Sequence, residues 1–153
     1  MKLLVDTSVW WLALRRKDAA TLSPDEEKLK AELVQAIQDG RAVTLGLIRQ
    51  ELLSGIKEKA QFDRVKTALD SYLDEPIHSA DHEYAARIYN ECRNQGVEVG
   101  TVDILVCALA LCRGWEVLSG DGGLNRCLAV AKKFHQKQKR TRMVEKLERS
   151  EKA

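Results

Sequence analysis

No apolar run in this chain approaches the roughly 20 residues that a bilayer-spanning helix needs. The longest uncharged stretches are residues 7–14 and 104–112. Lys2 followed by apolar residues imitates the start of a secretory leader, but Asp6 interrupts it early and no small-residue cleavage site follows. The expectation is a cytoplasmic protein without a membrane segment. Cysteine is sparse: Cys92, Cys107, Cys112 and Cys127 form no C-x-x-C pair and have no histidine at metal-ligand spacing, which argues against a structural zinc site. Each lies in or beside an apolar run, where a free cysteine behaves as a small hydrophobe. Three scattered histidines supply no serine triad. His78 and His82 are four apart, but Pro76 and a helix start near Asp81 keep them off one helix, and they read as non-ligands. Neither G-x-G-x-x-G nor G-x-x-x-x-G-K-[ST] occurs, so the common nucleotide-phosphate loops are absent.

What is present is the composition of one soluble globular domain: 153 residues, 44% hydrophobic and 31% charged, enough chain to bury a real core. The net charge of +2 conceals an asymmetry. Residues 131–153 hold nine Lys or Arg against three Glu, leaving 16 basic and 20 acidic residues in the body. A slightly acidic body with a basic appendage suits a polyanionic partner. The composition changes near Lys132, which divides the chain into a domain over 1–131 and a basic, helical extension over 132–153.

The pattern along the chain alternates short buried strands with helices. Residues 2–5 read as a strand closed by Asp6, and a first helix runs to about Leu14. Ser23-Pro24-Asp25-Glu26 is a capping box with proline at the first helical position. Leu29, Leu33 and Ile37 then recur at helical spacing until Gly40. Residues 42–45 read as a second strand and 47–57 as a helix. Phe62, Val65, Leu69 and Leu73 mark a helix ended by Pro76. Asp81 is placed as the cap of the next helix, with Ala85, Ile88, Tyr89 and Cys92 inward and Gly96 beyond its end. Thr101 is placed as the cap of a helix whose body, 104–112, is apolar all round, followed by a strand over 115–119. Helices between short buried strands imply βαβ units and a short, mostly parallel sheet, an α/β fold whose ligands bind beyond the carboxyl ends of the strands.

Four carboxylates fall at that edge: Asp6 after the first strand, Glu51 on the helix after the second, Asp103 in a first helical turn, and Asp121 after the last strand. Each alone has an ordinary explanation as a turn residue, cap or solvated helical acid. Jointly they describe an acidic pocket, which like-charge repulsion disfavours and a divalent cation stabilises. Hard oxygen donors without thiolate or imidazole favour Mg2+ or Mn2+. Such a metal acts naturally in phosphodiester hydrolysis. Asp6-Thr7-Ser8 lacks the second aspartate that a haloacid-dehalogenase-like phosphatase would show.

The segment Leu4-Val5-Asp6-Thr7-Ser8-Val9-Trp10 resembles the opening motif of PIN-domain nucleases, most closely the VapC-type toxin ribonucleases of toxin–antitoxin systems. The other acidic segments follow in the family's order and approximate spacing, and the resemblance covers residues 2 to about 130. It implies a three-layer α/β/α domain and a metal-dependent endoribonuclease cutting RNA. Asp6, Glu51, Asp103 and Asp121 would ligate Mg2+ or Mn2+, with Thr7, Ser8 and Ser119 lining the site and orienting water or carboxylates. It also implies a small antitoxin protein as partner and a homodimer. The family often carries a further acidic residue and then Phe just after the fourth carboxylate; Gly123 and Leu124 stand there, one potential ligand fewer.

Arg15, Arg16 and Lys17 lie soon after the first motif and read as substrate contacts. The extension's Lys132, Lys133, Lys137, Lys139, Arg140 and Arg142 read either as phosphate contacts or as a solvated helix. Trp10 and Trp11 point about 100° apart if helical, so one packs inside and the other is left for the surface or an interface. The rival reading is a non-catalytic module that binds RNA or protein with a degraded metal site.

Overall fold

The computed structural model describes residues 1–15, 21–72 and 74–153; Arg16, Lys17 and Leu73 lie outside them. Its centre is a parallel three-stranded sheet in the order β2-β1-β3. Strand β1 (Leu3–Val5) pairs Leu3 with Ala42 and Leu4 with Val43 of β2 (Ala42–Val43). On its other side Leu3, Leu4 and Val5 pair with Glu116, Val117 and Leu118 of β3 (Glu116–Leu118). A central strand covered on both faces needs apolar residues without alternation, and Leu3-Leu4-Val5 is buried throughout.

Helices α1 (Thr7–Leu14), α2 (Pro24–Gln38), α3 (Gly46–Leu53) and α4 (Lys59–Leu69) pack on one another, as do α5 (Ser79–Asn94), α6 (Thr101–Arg113) and α7 (Gly122–Glu151). With the sheet they make three layers, α/β/α. The Ser23–Glu26 capping box forms on both sides, with Glu26 N to Ser23 Oγ at 3.2 Å and Ser23 N to Glu26 Oε1 at 3.2 Å. Residues 104–110 of α6 are all buried, as expected of a helix apolar on every side, but the last part of the 104–112 run emerges, with Leu111 half-buried and Cys112 exposed. Trp10 is buried against Tyr72, while Trp11 is 38% exposed. Cys92, Cys107 and Cys127 are buried core residues, with Cys92 Sγ 3.6 Å from Cys127 Sγ, and only Cys112 among the four is exposed. No helix among the described residues is long and apolar enough to cross a membrane.

Several boundaries differ from the sequence reading, each for a local reason. Helix α3 stops at Leu53 rather than residue 57, because Ser54 is extended and Gly55 takes φ of 83°. Helix α4 ends at Leu69, capped by Asp70, well before Pro76. The second strand is shorter: Thr44 makes only an isolated bridge to Asp74, and Leu45 already caps α3. Trp115 is outside β3, its ring under Lys2 Nζ at 5.4 Å and Arg113 at 5.8 Å. Ala36, not Ile37, faces the core of α2, and Tyr89 is at the surface of α5. Gly100 rather than Thr101 caps α6. His78 rather than Asp81 caps α5; Asp81 is the third helical residue, and its Oδ2 accepts from His78 N at 2.8 Å.

Two arginines pin the segment that joins α4 to α5. Arg49 of α3 donates to Asp74 and Asp70 and to the carbonyls of Leu69 and Tyr72, tying α3 to the end of α4. Arg113, the last residue of α6, donates to Glu75 at 2.8 Å, to both oxygens of Asp81 at 2.9 and 3.0 Å and to the Pro76 carbonyl. The Arg113 guanidinium, working against burial, holds the Asp81 carboxyl below the usual carboxylate range. Thirty residues long, α7 extends about 45 Å. Leu124, Cys127, Leu128 and Ala131 bury its first half, and every residue from Lys139 onward is exposed. It passes position 131 without a break.

Candidate functional site: an acidic edge beyond the parallel strands

All three strands are parallel, so their carboxyl ends share one edge, and the loops leaving it position the acids. Asp6 follows Val5 directly and is the N-cap of α1. Its backbone N–H donates to the Leu118 carbonyl at 2.9 Å, continuing the β1–β3 pairing to the last possible residue. That placement leaves Asp6 only 4% exposed. A buried carboxylate needs donors, and three converge on its Oδ2: Ser8 Oγ at 2.9 Å, Ser119 Oγ at 2.9 Å and the Ser8 N–H at 3.4 Å.

The same hydroxyls reach further. Ser8 Oγ accepts from Gly120 N at 3.0 Å and Ser119 Oγ from Asp121 N at 3.0 Å, so the two serines lace α1 to the turn after β3. Asp121 is the N-cap of α7, its Oδ1 accepting from Leu124 N at 3.0 Å. Thr7 Oγ1 donates to Glu51 Oε2 at 2.6 Å, which joins α1 to α3. Thus each hydroxyl singled out in the sequence holds a carboxylate: Ser8 and Ser119 hold Asp6, and Thr7 holds Glu51. Asn125, which the sequence did not single out, donates to the Ser119 carbonyl at 3.1 Å. Its signal was available in principle, since a side-chain amide one turn into a helix can reach back to the preceding loop.

Asp103 sits on the third residue of α6, half-buried. Burial, and then the charges of Asp6, Asp121 and Glu51, push its carboxyl up to about 6. The four acids are therefore near enough for three to act on the fourth. Yet no three His, Cys, Asp or Glu side chains among the described residues stand in a metal-holding arrangement. Coupling through space reaches further than ligation, which needs oxygens within about 2.6 Å of one ion. The set is an open acidic edge and not a closed cage. The donor chemistry nevertheless fits a hard cation: oxygens only, no thiolate, and no Lys, Arg or His paired with any of the four among the described residues.

Gly123, where the resemblance leads one to expect a fifth acid, packs tightly. A Cβ there would lie 3.1 Å from Asp121 Oδ1. Of the expected substrate contacts, Arg15 is half-buried at the C-cap of α1, while Arg16 and Lys17 are outside the described residues.

A three-layer α/β/α domain with acids at the carboxyl edge of a short parallel sheet agrees with the comparison to known families: the family model for the PIN domain matches residues 3–127. The chain belongs to the PIN-domain family. PIN domains are generally nucleases and typically use divalent metal ions. No curated protein of established function matches the chain. The matched span of this PIN domain contains all four acids and stops within the first half of α7.

Proposed function

We propose that this PIN domain is a metal-dependent endoribonuclease of the VapC type, hydrolysing RNA phosphodiester bonds as the toxin of a toxin–antitoxin pair. The observation that carries the reading is the acidic edge itself: at the carboxyl end of a parallel sheet, acids from four separate segments come close enough to push the Asp103 carboxyl up, and no basic side chain among the described residues is ion-paired with any of them. Natural folds rarely maintain such repulsion without a use for it.

Asp6, Glu51, Asp103 and Asp121 would hold Mg2+ or Mn2+. Bound there, the ion supplies Lewis acidity toward a phosphoryl oxygen and lowers the pKa of water. The chain's own residues prepare the place. Ser8 and Ser119 fix the Asp6 carboxylate through Oδ2 and leave Oδ1 for a ligand. Thr7 fixes Glu51 through Oε2 and leaves Oε1. Capping α7 through Oδ1 leaves the second oxygen of Asp121. Asp103 must be ionised to join them, so cation affinity falls as pH drops through about 6. This reading assigns contacts with the RNA backbone to Arg15, Arg16 and Lys17. A small antitoxin and a second copy of the chain are the protein partners that this reading implies.

The test is cleavage of a mixed RNA pool in EDTA, Mg2+ or Mn2+, with Asp6→Asn and Asp103→Asn alongside. The expected result is metal-dependent cutting that both substitutions reduce by a factor of about 1,000 or more; full activity in either variant overturns it. A second reading, a PIN domain that binds RNA or protein without cutting, is favoured by the open arrangement of the acids. It predicts no response to either metal.

A further inference from the structure

The basic residues of α7 are sorted by the helix into two faces. By helical spacing Arg142 and Lys139 fall on the side of the buried line of α7, toward the body, and the His135 imidazole, lowered first by burial, is lowered further by both. His135 Nδ1 is itself 2.6 Å from Tyr84 Oη, on α5. Arg126, Lys133, Lys137 and Arg140 fall elsewhere. At spacings of 7, 4 and 3 residues they lie within about 60° of one another, roughly opposite the buried line of Leu124, Cys127, Leu128 and Ala131. All four are exposed.

Residues 122–144 contain no Asp or Glu, and none of the four makes an ion pair among the described residues. Unpaired cations along one helical line, with no acid interleaved, differ from the alternating pattern of a merely solvated helix.

The line also begins at the acidic edge. The Arg126 guanidinium lies across the glycine turn at the start of α7. A Cβ on Gly122 would be 3.3 Å from its Nη1, and one on Gly123 would be 3.8 Å from its Nη2 and 3.1 Å from Asp121 Oδ1. From there Lys133, Lys137 and Arg140 follow at about 10, 6 and 4.5 Å further along the axis each time.

We infer that Arg126, Lys133, Lys137 and Arg140 form a phosphate track on the outer face of α7, along which the single-stranded flank of an RNA substrate runs away from the acidic edge. The inference rests on the nuclease reading for the identity of the polyanion. A single strand suits it because its backbone can follow a helix surface, and contacts of this kind are electrostatic and independent of sequence. The track gives the basic extension a role that short substrates do not use.

The experiment is fluorescence anisotropy with a labelled single-stranded RNA of about 20 nucleotides, in EDTA, across a salt series. Lys137→Gln/Arg140→Gln is compared with Lys139→Gln/Arg142→Gln, which removes the same charge from the same stretch of helix. The first pair is expected to weaken binding about tenfold and to flatten the log–log salt slope by about 1.4, two phosphate contacts at about 0.7 each. The second pair should change affinity less than about threefold. Equal effects would mean that net charge alone matters, and would overturn the track. Unchanged binding in both, as a protein-binding helix would give, overturns it too. RNA binding that shows the difference, in a protein that cuts nothing with either metal, would leave the track standing and sink the nuclease reading. Failure of the wild type to bind RNA sinks both.

Discussion

Asp81 and Asp103 are each the third residue of a helix, where the helix dipole favours a negative charge equally. Their carboxyls nevertheless move in opposite directions. Asp81 is held below the usual range because Arg113 grips both of its oxygens at 2.9 and 3.0 Å. Asp103 is pushed up to about 6 because it is half-buried and lies within reach of the charges of Asp6, Asp121 and Glu51. With local position matched, the difference is tertiary. One cluster brings acids to a guanidinium and closes the fold. The other brings acids to each other, with no base ion-paired to any of them among the described residues.

The largest effect that sharpens this contrast is on the neutralised side. Arg113→Ala would strand Asp81, which is 6% exposed, and also release Glu75 and the Pro76 carbonyl. Removing one member of a buried pair leaves an uncompensated charge, so a loss of about 3 kcal/mol is expected in urea unfolding. On the acidic edge the sign reverses. Asp103→Asn removes a repelled charge and should stabilise the metal-free protein at pH 7.5 by about 1–2 kcal/mol, solvent screening included. A loss of stability in that variant would break the comparison.

The two groups also divide the pH axis. Asp103, with its folded pKa raised, contributes stability that is fully present below its unfolded value of 3.8 and is lost as pH rises through about 6. For Asp81, with its folded pKa lowered, the contribution is present above 3.8 and is lost as pH falls through the depressed value. Asp103 should therefore add stability to the metal-free protein between pH 7 and 5, with His135, lowered by burial, acting in the opposite sense, and Asp81 should take stability away below about 3.8. Asp103→Asn should flatten the upper limb alone, which thermal melts across that range would read.

A smaller effect concerns the laces. Ser119→Ala removes a donor to Asp6 and an acceptor for Asp121 N, so a loss of about 1–2 kcal/mol is expected by denaturant unfolding. A neutral outcome would mean that the Asp6 carboxylate finds other donors.

How far the sequence disclosed this arrangement follows from the range of each signal. Asp6 was readable because strand, acid and hydroxyls are adjacent in the chain, and the same holds for Ser119 and Asp121. The Ser23 capping box and the stop at Gly40, which takes φ of 67°, are likewise local. The partner of Asp81 was not readable: Arg113 is 32 residues away, and the two meet only when α5 packs on α6. Placed beside an apolar helix start, Asp81 was read as a cap when it is an ion-pair member. The exposure of Tyr89 was missed because helical spacing gives the inner face only to within one residue, and Ile88 lies closer to its centre. Nor could sequence reveal how open the acidic edge is, since that depends on which oxygen of each acid a neighbouring hydroxyl occupies.

The central claim is that the acidic edge takes its neutralising charge from a divalent cation. It is tested most directly by the melting temperature at pH 7.5 as Mg2+ or Mn2+ is titrated, for wild type and Asp103→Asn. The account predicts that the wild type begins lower and rises with cation concentration, while the variant begins higher and barely responds. A wild type indifferent to both ions, or a variant that rises in parallel with it, would contradict it.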